Sequence, residues 1–246
     1  MSKRIQQAMA DLVLANHILS NEGVLDAFGH VSVRNPDNPD HFFLSRSLSP
    51  QWVQEQDIME FDFDGDEVSA TGFSPYKERI LHAKIYAARP DVQAVCHHHA
   101  ASLIPFSTTG VEVRPICHIG GMFYEGVPVY DDYDVSDGML IVNPREGERI
   151  ARTLGNKRGM LLRGHGAIVV GEDIRRTVMA SIYLAKNAEI QYRALQLGTP
   201  RYLSYEEGRA AAETMFSENP LERAWTYWRQ RAWAARGEAD SSRVPV

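Results

Sequence analysis

The chain has 246 residues, of which 44% are hydrophobic and 24% are charged, with a formal net charge of -6 and a pI near 5.8. This composition is typical of globular proteins and excludes a disordered or fibrous chain, and the lack of excess Lys and Arg disfavours nucleic-acid binding and a polybasic membrane anchor. The apolar runs are too short to span a membrane, the N-terminus lacks a secretory pattern, and the two cysteines are too few for a disulfide framework. We therefore expect a cytoplasmic protein that acts on small molecules.

Helical and strand patterns alternate in the first hundred residues. Apolar residues at helical spacing indicate helices, and alternating polar and apolar residues indicate strands. In chain order these patterns predict a helix over 5–21, strands over 30–34 and 42–44, a brief helix capped by Ser49 that begins at Pro50 and reaches Gln54, a strand over 58–63 before an Asp64-Gly65 turn, a helix over 78–89, and a strand over 94–96 that ends in three histidines.

The remaining residues are richer in helix. They predict a short helix over 100–106, an irregular segment with short strands over 111–133, a helix from Asn143-Pro144 to Gly155, strands over 160–163 and 167–170, a long helix from Asp173 to Gly198, and helices beginning at Ser204 and near Leu221. No repeat or linker divides the sequence. We therefore predict one α/β domain over 1–237 and a disordered tail over 238–246.

Two histidines lie two residues apart in the run Ala94-Val95-Cys96-His97-His98-His99. Side chains at i and i+2 of a strand point to the same face, so His97 and His99 project together, while His98 points away and Cys96 faces the core. Two imidazoles in this arrangement can bind one metal ion. The alternative is a run of surface histidines, which the preceding apolar residues disfavour.

Two further residues complete a candidate metal site. His165 stands between Gly164 and Gly166, which permit a sharp turn between two predicted strands. Glu78 opens a predicted helix, where the helix dipole favours a carboxylate. Alone, each residue also fits a role without function, as a turn residue or a solvated carboxylate. Three imidazoles and a carboxylate together suit a divalent cation.

The order Glu78-x-x-x-His82, then Arg89-Pro90-Asp91-Val92 leading to His97-x-His99, then Gly164-His165-Gly166, resembles the class II aldolase/adducin family. The resemblance covers the chain from the first helix to about Leu197. It implies a three-layer α/β/α fold with a central, largely antiparallel sheet, and a homotetramer with active sites between subunits. It also implies one divalent metal ion per subunit, bound by His97, His99 and His165. Glu78 is then either a fourth ligand or an acid/base beside the metal. Mn²⁺ is the favoured ion, with Zn²⁺, Mg²⁺ and Co²⁺ as alternatives.

Departures from the sugar-phosphate members of that family indicate a different substrate. Where those members carry small donors around a phosphate, this sequence has Gly29-His30, Ser45-Arg46-Ser47 and Tyr76-Lys77. Together with Arg163 before Gly164-His165, these segments resemble the decarboxylase branch of the family. That branch removes CO₂ from dihydroxyphthalate, hydroxypyridine-dicarboxylate or hydroxymuconate-type acids in ring degradation. Arg46 and Arg163 each offer a planar guanidinium that fits a carboxylate.

The resulting hypothesis is a metal-dependent, non-oxidative decarboxylase of an ortho-hydroxy aromatic or heteroaromatic dicarboxylate. Glu78 and His30 are the expected catalytic residues. The expected substrate-binding residues are Ser45, Arg46, Ser47, Tyr76, His118 and Arg163. One alternative is an aldolase that cleaves a non-phosphorylated keto-acid or hydroxy-acid on the same metal. Another is a non-catalytic adducin-like interaction module, which has no need of the four metal-site residues. An aromatic C-terminal helix with Trp225, Trp228 and Trp233 is interpreted as a packing or subunit-contact helix.

Overall fold

Seven strands and seven α-helices form the described part of the chain, residues 1–237, in the computed structural model. The strands are β1 (His30–Arg34), β2 (His41–Ser45), β3 (Ile58–Asp62), β4 (Ala94–His98), β5 (Val129–Tyr130), β6 (Gly159–Leu162) and β7 (Gly166–Gly171). The helices are α1 (Lys3–Asn21), α2 (Arg79–Ala88), α3 (Ile104–Thr109), α4 (Pro144–Leu154), α5 (Ile174–Leu197), α6 (Tyr205–Met215) and α7 (Glu218–Ala235). The tail predicted over 238–246 lies outside the described residues.

One sheet connects all the strands in the order β3-β2-β1-β4-β7-β6-β5. Every pairing is antiparallel except that of β5 with β6. At the centre of the sheet, His30 of β1 pairs with His97 of β4, and His97 pairs with Ile168 of β7. The register therefore brings two of the expected site residues side by side at one end of the sheet.

Two apolar layers cover the faces of this sheet. On one face, Val31 and Cys96 lie in a core with residues of α1, α5 and α7; on the other, Val95 and Ile168 lie in a core with residues of α2 and α4. Burying a large aliphatic or aromatic side chain contributes about 1.5–3 kcal/mol, so both layers hold the strands firmly. The expected three-layer α/β/α fold with a largely antiparallel sheet is confirmed, as is the core position of Cys96.

Several local predictions need correction. Ser49 makes no side-chain cap bond, and the helix after it is a single 3₁₀ turn, Pro50–Trp52, because the backbone becomes extended at Val53 before a second 3₁₀ turn, Glu55–Asp57. The segment predicted as irregular over 111–133 contains a 3₁₀ helix, His118–Phe123, which packs against α6. The last helix begins at Glu218 instead of near Leu221.

The aromatic C-terminal helix packs within its own chain. Trp225 and Trp228 are 2% and 3% exposed and belong to the core beside α1 and α5. Their apolar area is therefore already covered, and it provides no argument for a subunit contact. No helix in residues 1–237 combines the length and hydropathy that crossing a bilayer requires.

Candidate functional site

Three imidazoles converge at the end of the central strands. His97 is on β4, His99 follows β4, and His165 lies in the tight turn between β6 and β7. The Nε2 atoms of His97 and His99 are 3.1 Å apart, and one ring nitrogen from each of the three histidines lies within 4.8 Å of the others. The structure therefore brings together the three histidines that the sequence picked out as metal ligands. We call them the three-histidine cluster.

The opposite ring atoms of the cluster are fixed by hydrogen bonds. His97 Nδ1 lies 3.1 Å from the Ala167 carbonyl oxygen, and His99 Nδ1 lies 3.1 Å from an Asp26 carboxylate oxygen. Both partners are acceptors, so each ring donates from Nδ1, and in a neutral ring Nε2 then keeps a lone pair. Two lone pairs that face each other at 3.1 Å need a cation between them. Metal–nitrogen distances of about 2.0–2.1 Å fit this separation, so the donor set suits a divalent metal ion.

Glu78 lies beside the cluster at the N-terminus of α2. Its carboxylate oxygens are 3.6 Å from His97 Nε2 and 3.8 Å from His165 Nε2, and it accepts a 3.1 Å hydrogen bond from the backbone N–H of Ile141. Burial alone would raise the pKa of Glu78, but the neighbouring His97 and His165 and this N–H lower it to about 2. The side chain is therefore a carboxylate at neutral pH, the form that either a metal ligand or a base requires.

A loop with unusual backbone geometry supports both groups. Met139 has a positive φ of 64°, which a residue with a side chain seldom adopts. Its backbone hydrogen-bonds to the ring of His165, and Ile141, two residues later, donates to Glu78. Burial and His97 lower the pKa of His165 to about 4. This loop thus holds a neutral imidazole and a charged carboxylate in place, a role that the sequence gave no signal for.

His30 is the fourth imidazole of the site. Its ring centroid lies 5.1 Å from that of His97 and 4.5 Å from that of Tyr76. A ring nitrogen of His30, one of His97 and an oxygen of Glu78 all lie within 4.8 Å of one another. Burial first, and then the neighbouring His82, hold the pKa of His30 well below its usual range. His30 is therefore neutral, and at neutral pH it carries no extra proton to donate.

A cavity of about 410 Å³ opens onto these groups. His30, Glu78, His99 and His165 form its inner wall, and the nearby walls include Ser47, Tyr76, Lys77, Phe28 and Leu140. The Tyr76 hydroxyl donates to the backbone oxygen of Leu48. Phe28 is 73% exposed and is one of the residues that line the cavity. The cavity therefore combines potential metal ligands, the ammonium group of Lys77 and apolar side chains.

The structure places four expected substrate-binding residues away from this wall. Arg46 donates from Nε to Asp57 at 2.6 Å, and Ser45 is buried behind it. Arg163 pairs with Asp131 and is half exposed, and His118 is exposed at the start of a 3₁₀ helix. Ser47 and Tyr76 do line the cavity. Of the Lys and Arg residues in the described chain, Lys77 is the one that lines it.

Asp26 is a residue of the site that the sequence analysis missed. One oxygen of its carboxylate accepts hydrogen bonds from the backbone N–H groups of Phe28 and Gly29, at 2.8 and 3.0 Å, and the same oxygen bonds His99. Asp26 therefore connects the backbone of Phe28 and Gly29 to one imidazole of the three-histidine cluster. The contact spans 73 residues of sequence, so no local pattern could reveal it.

Known proteins resemble this chain in both sequence and fold. The class II aldolase and adducin N-terminal domain matches residues 10–192. Decarboxylase tropJ from Talaromyces stipitatus is 33% identical, covering 86% of this chain and 89% of its own, and 3,4-dihydroxyphthalate decarboxylase from Arthrobacter keyseri is 28% identical, covering 76% and 78%. The structure of L-fuculose 1-phosphate aldolase from Glaciozyma antarctica shares the fold, with a TM-score of 0.79 at 24% identity over 95% of this chain and 91% of that one. The match over residues 10–192 and the relative at 33% identity show that this chain belongs to the class II aldolase and adducin family.

Proposed function

We propose that the protein is a metal-dependent, non-oxidative decarboxylase of an ortho-hydroxy aromatic or heteroaromatic dicarboxylate, or of a related hydroxymuconate-type acid. The observation that carries the proposal is the convergence of three imidazoles and an ionised Glu78 on a cavity that also holds a neutral His30. Relatives named as decarboxylases, at 33% and 28% identity, support the same reaction. The likeness to L-fuculose 1-phosphate aldolase is one of fold, and it gives no support for a particular reaction.

Removal of CO₂ from a hydroxy acid leaves an electron pair on carbon and needs a proton to replace the carboxyl group. His97, His99 and His165 would hold a divalent cation, which would supply positive charge to stabilise the negative charge that develops on substrate oxygens. Glu78, as a carboxylate, accepts the proton of the substrate hydroxyl. It then delivers that proton to the carbon that loses CO₂, so the hydroxy carboxylate becomes a phenolate plus CO₂ with charge conserved.

The substrate is oriented by the cavity wall. Lys77 offers an ammonium group for the retained carboxylate, and Phe28 offers an apolar face for a planar ring. We propose that Arg46, which donates from Nε to Asp57, binds a substrate carboxylate through its terminal nitrogens. Arg163, tied to Asp131, is proposed to act at the outer edge.

The test is a screen of ortho-hydroxy aromatic dicarboxylates, including 3,4-dihydroxyphthalate, with metal-free protein reconstituted with Mn²⁺, Zn²⁺, Mg²⁺ or Co²⁺. We expect CO₂ release that depends on the added ion, and an intact ring product with one carboxyl fewer. Sugar phosphates and non-phosphorylated keto acids serve as comparison substrates. Efficient release of an aldehyde or ketone from these, without CO₂ from the dicarboxylates, would establish an aldolase instead.

We also propose that the protein forms a homo-oligomer, with a tetramer as the expected state, and that a neighbouring subunit covers each cavity. Phe28 at the mouth is 73% exposed, and Trp52, three residues beyond Ser49 of the wall, is 62% exposed. Large apolar side chains exposed beside a site are typical of contact surfaces. Sedimentation velocity checks the proposal, and a stable, fully active monomer at assay concentration would contradict it.

A further inference from the structure

A polar seam runs between α2 and β1, behind the wall of the cavity. His82 and Tyr86 are one helical turn apart on α2, in line with Glu78, and His30 and Ser32 are two residues apart on β1. Both spacings put side chains on one face, so the helix and the strand turn these polar groups toward each other. His30, Ser32, His82 and Tyr86 are all 1% exposed or less.

These four side chains form a continuous hydrogen-bonded line, which we call the buried chain. His30 Nδ1 lies 2.7 Å from His82 Nε2, and His82 Nδ1 lies 2.7 Å from Ser32 Oγ. Ser32 Oγ in turn lies 2.8 Å from the Tyr86 hydroxyl. Burial lowers the pKa of His82 to about 3, so both imidazoles are neutral and each has one N–H and one acceptor nitrogen.

Proton accounting gives the buried chain a direction. If His30 donated from Nδ1, His82 Nδ1 would donate to Ser32, and either the Ser32 or the Tyr86 hydroxyl proton would need an acceptor outside the buried chain. The Val95 backbone also hydrogen-bonds to the Tyr86 hydroxyl. Burial raises the pKa of Tyr86, whereas the bond with Val95 lowers it, which indicates that the Val95 N–H donates to the hydroxyl oxygen. A buried hydroxyl without an acceptor is unfavourable. In the opposite direction every proton has an acceptor: Tyr86 donates to Ser32, Ser32 to His82 Nδ1, and His82 Nε2 to His30 Nδ1.

We infer that the buried chain fixes His30 in the tautomer with its proton on Nε2, the ring nitrogen left for the cavity. His30 is then a hydrogen-bond donor that keeps its proton, and His82 and Ser32 are its positioning residues. The donor role toward a substrate oxygen rests on the proposed function, but the tautomer does not depend on it.

The tautomer also determines which of two overlapping groups of potential metal ligands can bind an ion. One consists of His97, His99 and His165, and the other of His30, Glu78 and His97. An imidazole nitrogen that carries a proton has no lone pair for a metal ion. His30 is therefore excluded as a ligand, and the three-histidine cluster is left to bind the ion.

The direct test is ¹⁵N magic-angle-spinning NMR of histidine-labelled, zinc-loaded protein without substrate, with the His30 signals assigned by their loss in His30→Phe. We expect a protonated Nε2 and an unprotonated Nδ1 for His30, and the same pattern for His82. A proton on His30 Nδ1 would overturn the inference. The NMR measurement uses no substrate, so its result does not depend on the proposed function. A lack of CO₂ release in the activity screen would contradict the proposed function but not the His30 tautomer.

Variants then separate positioning from folding. Ser32→Ala removes the donor to His82 and should give mixed His30 tautomers, whereas Ser32→Thr should restore the wild-type spectrum. Ser181→Ala removes another fully buried hydroxyl, on α5, and should leave the spectrum unchanged. His30→Phe should keep one zinc ion per chain and lower kcat by about 10²–10³, the effect of losing one oxyanion donor. Loss of zinc in His30→Phe, or an unchanged spectrum in Ser32→Ala, would contradict the inference.

Discussion

Two groups of histidines lie within a few ångströms of each other and behave in opposite ways. In the three-histidine cluster, the Nε2 atoms of His97 and His99 face each other at 3.1 Å with their Nδ1 atoms already committed to acceptors. In the buried chain, His30 Nδ1 and His82 Nε2 lie 2.7 Å apart, and one hydrogen bond joins them. The first pair needs a cation and the second needs none.

The difference arises from the partners and not from the imidazoles. An acceptor behind a ring, such as the Ala167 carbonyl or the Asp26 carboxylate, turns the front nitrogen into a ligand. A donor behind a ring, here the Ser32 hydroxyl acting through His82, turns the front nitrogen into an N–H. Neighbouring groups therefore divide chemically identical side chains into metal ligands and hydrogen-bond donors.

The largest expected effect comes from removing a member of the three-histidine cluster. In His99→Ala the ion loses one of three ligands, so metal content and activity should both fall to background while the protein stays folded. The loss should exceed the roughly 10- to 100-fold effect of changing an outer hydrogen-bond partner. Elemental analysis, activity assays and circular dichroism measure the outcome.

The matched control is His41→Ala, which removes a histidine of β2 that pairs with Glu60 outside the site. We expect it to retain metal and activity. If His97→Ala and His99→Ala both kept full metal stoichiometry and activity, the metal assignment would be wrong.

The sequence was sufficient for the parts of the site that local rules determine. Strand alternation put His97 and His99 on one face, and cap patterns located α4 and α5 through the side chains of Asn143 and Asp173. Backbone periodicity is a local property, so these predictions needed no knowledge of the fold.

Partners that come from distant segments could not be predicted. Arg46 and Arg163 have the charge that a carboxylate site needs, but tertiary contacts pair them with Asp57 and Asp131. Similarly, the sequence left open whether Trp225 serves packing or a subunit contact, and the packing of α7 on α1 and α5 shows that it belongs to the core. Such outcomes depend on which chain segments meet, and a single sequence does not encode that in a readable pattern.

A smaller effect is expected at the acceptor behind His99. Asp26→Ala removes the carboxylate that fixes the His99 tautomer and the backbone of Phe28 and Gly29, so metal affinity should fall about 10- to 100-fold. Asp26→Asn keeps an acceptor oxygen for Phe28, Gly29 and His99, so its metal affinity should lie between those of the wild type and Asp26→Ala. Competition titration with a chelator measures the affinities. Asp66→Ala, which changes an exposed carboxylate on the β3 turn, is the control, and an Asp26→Ala variant no weaker than it would refute the positioning role.

The buried chain should instead be visible in the pH dependence of stability. The pKa of His82 is lowered by burial to about 3, from an ordinary value of 6.5. Below pH 6.5 the unfolded chain binds a proton here that the folded protein does not, so acidification favours unfolding until about pH 3. One such group lowers the free energy of unfolding by about 1.4 kcal/mol per pH unit in that window.

Denaturant unfolding of metal-free protein from pH 7 to pH 4 tests this expectation. His82→Gln should reduce the slope against pH by about one proton. Leu81→Ala, a packing change on the same helix, should lower stability at every pH and keep the wild-type slope. Equal slopes for His82→Gln and the wild type would show that His82 is not held neutral by the fold.

The smallest expected effect is that of Tyr86→Phe, at the far end of the buried chain. The variant removes the hydroxyl that donates to Ser32 but keeps the ring on which the Arg34 guanidinium stacks at 4.9 Å. Ser32 can still donate to His82, so the His30 tautomer should persist and metal affinity should equal that of the wild type. The loss should be about 0.5–1.5 kcal/mol in the free energy of unfolding, the net value of one hydrogen bond. Denaturant unfolding and chelator competition on the same preparation check both quantities, and a fall in metal affinity would mean that the buried chain and the three-histidine cluster are not separate systems.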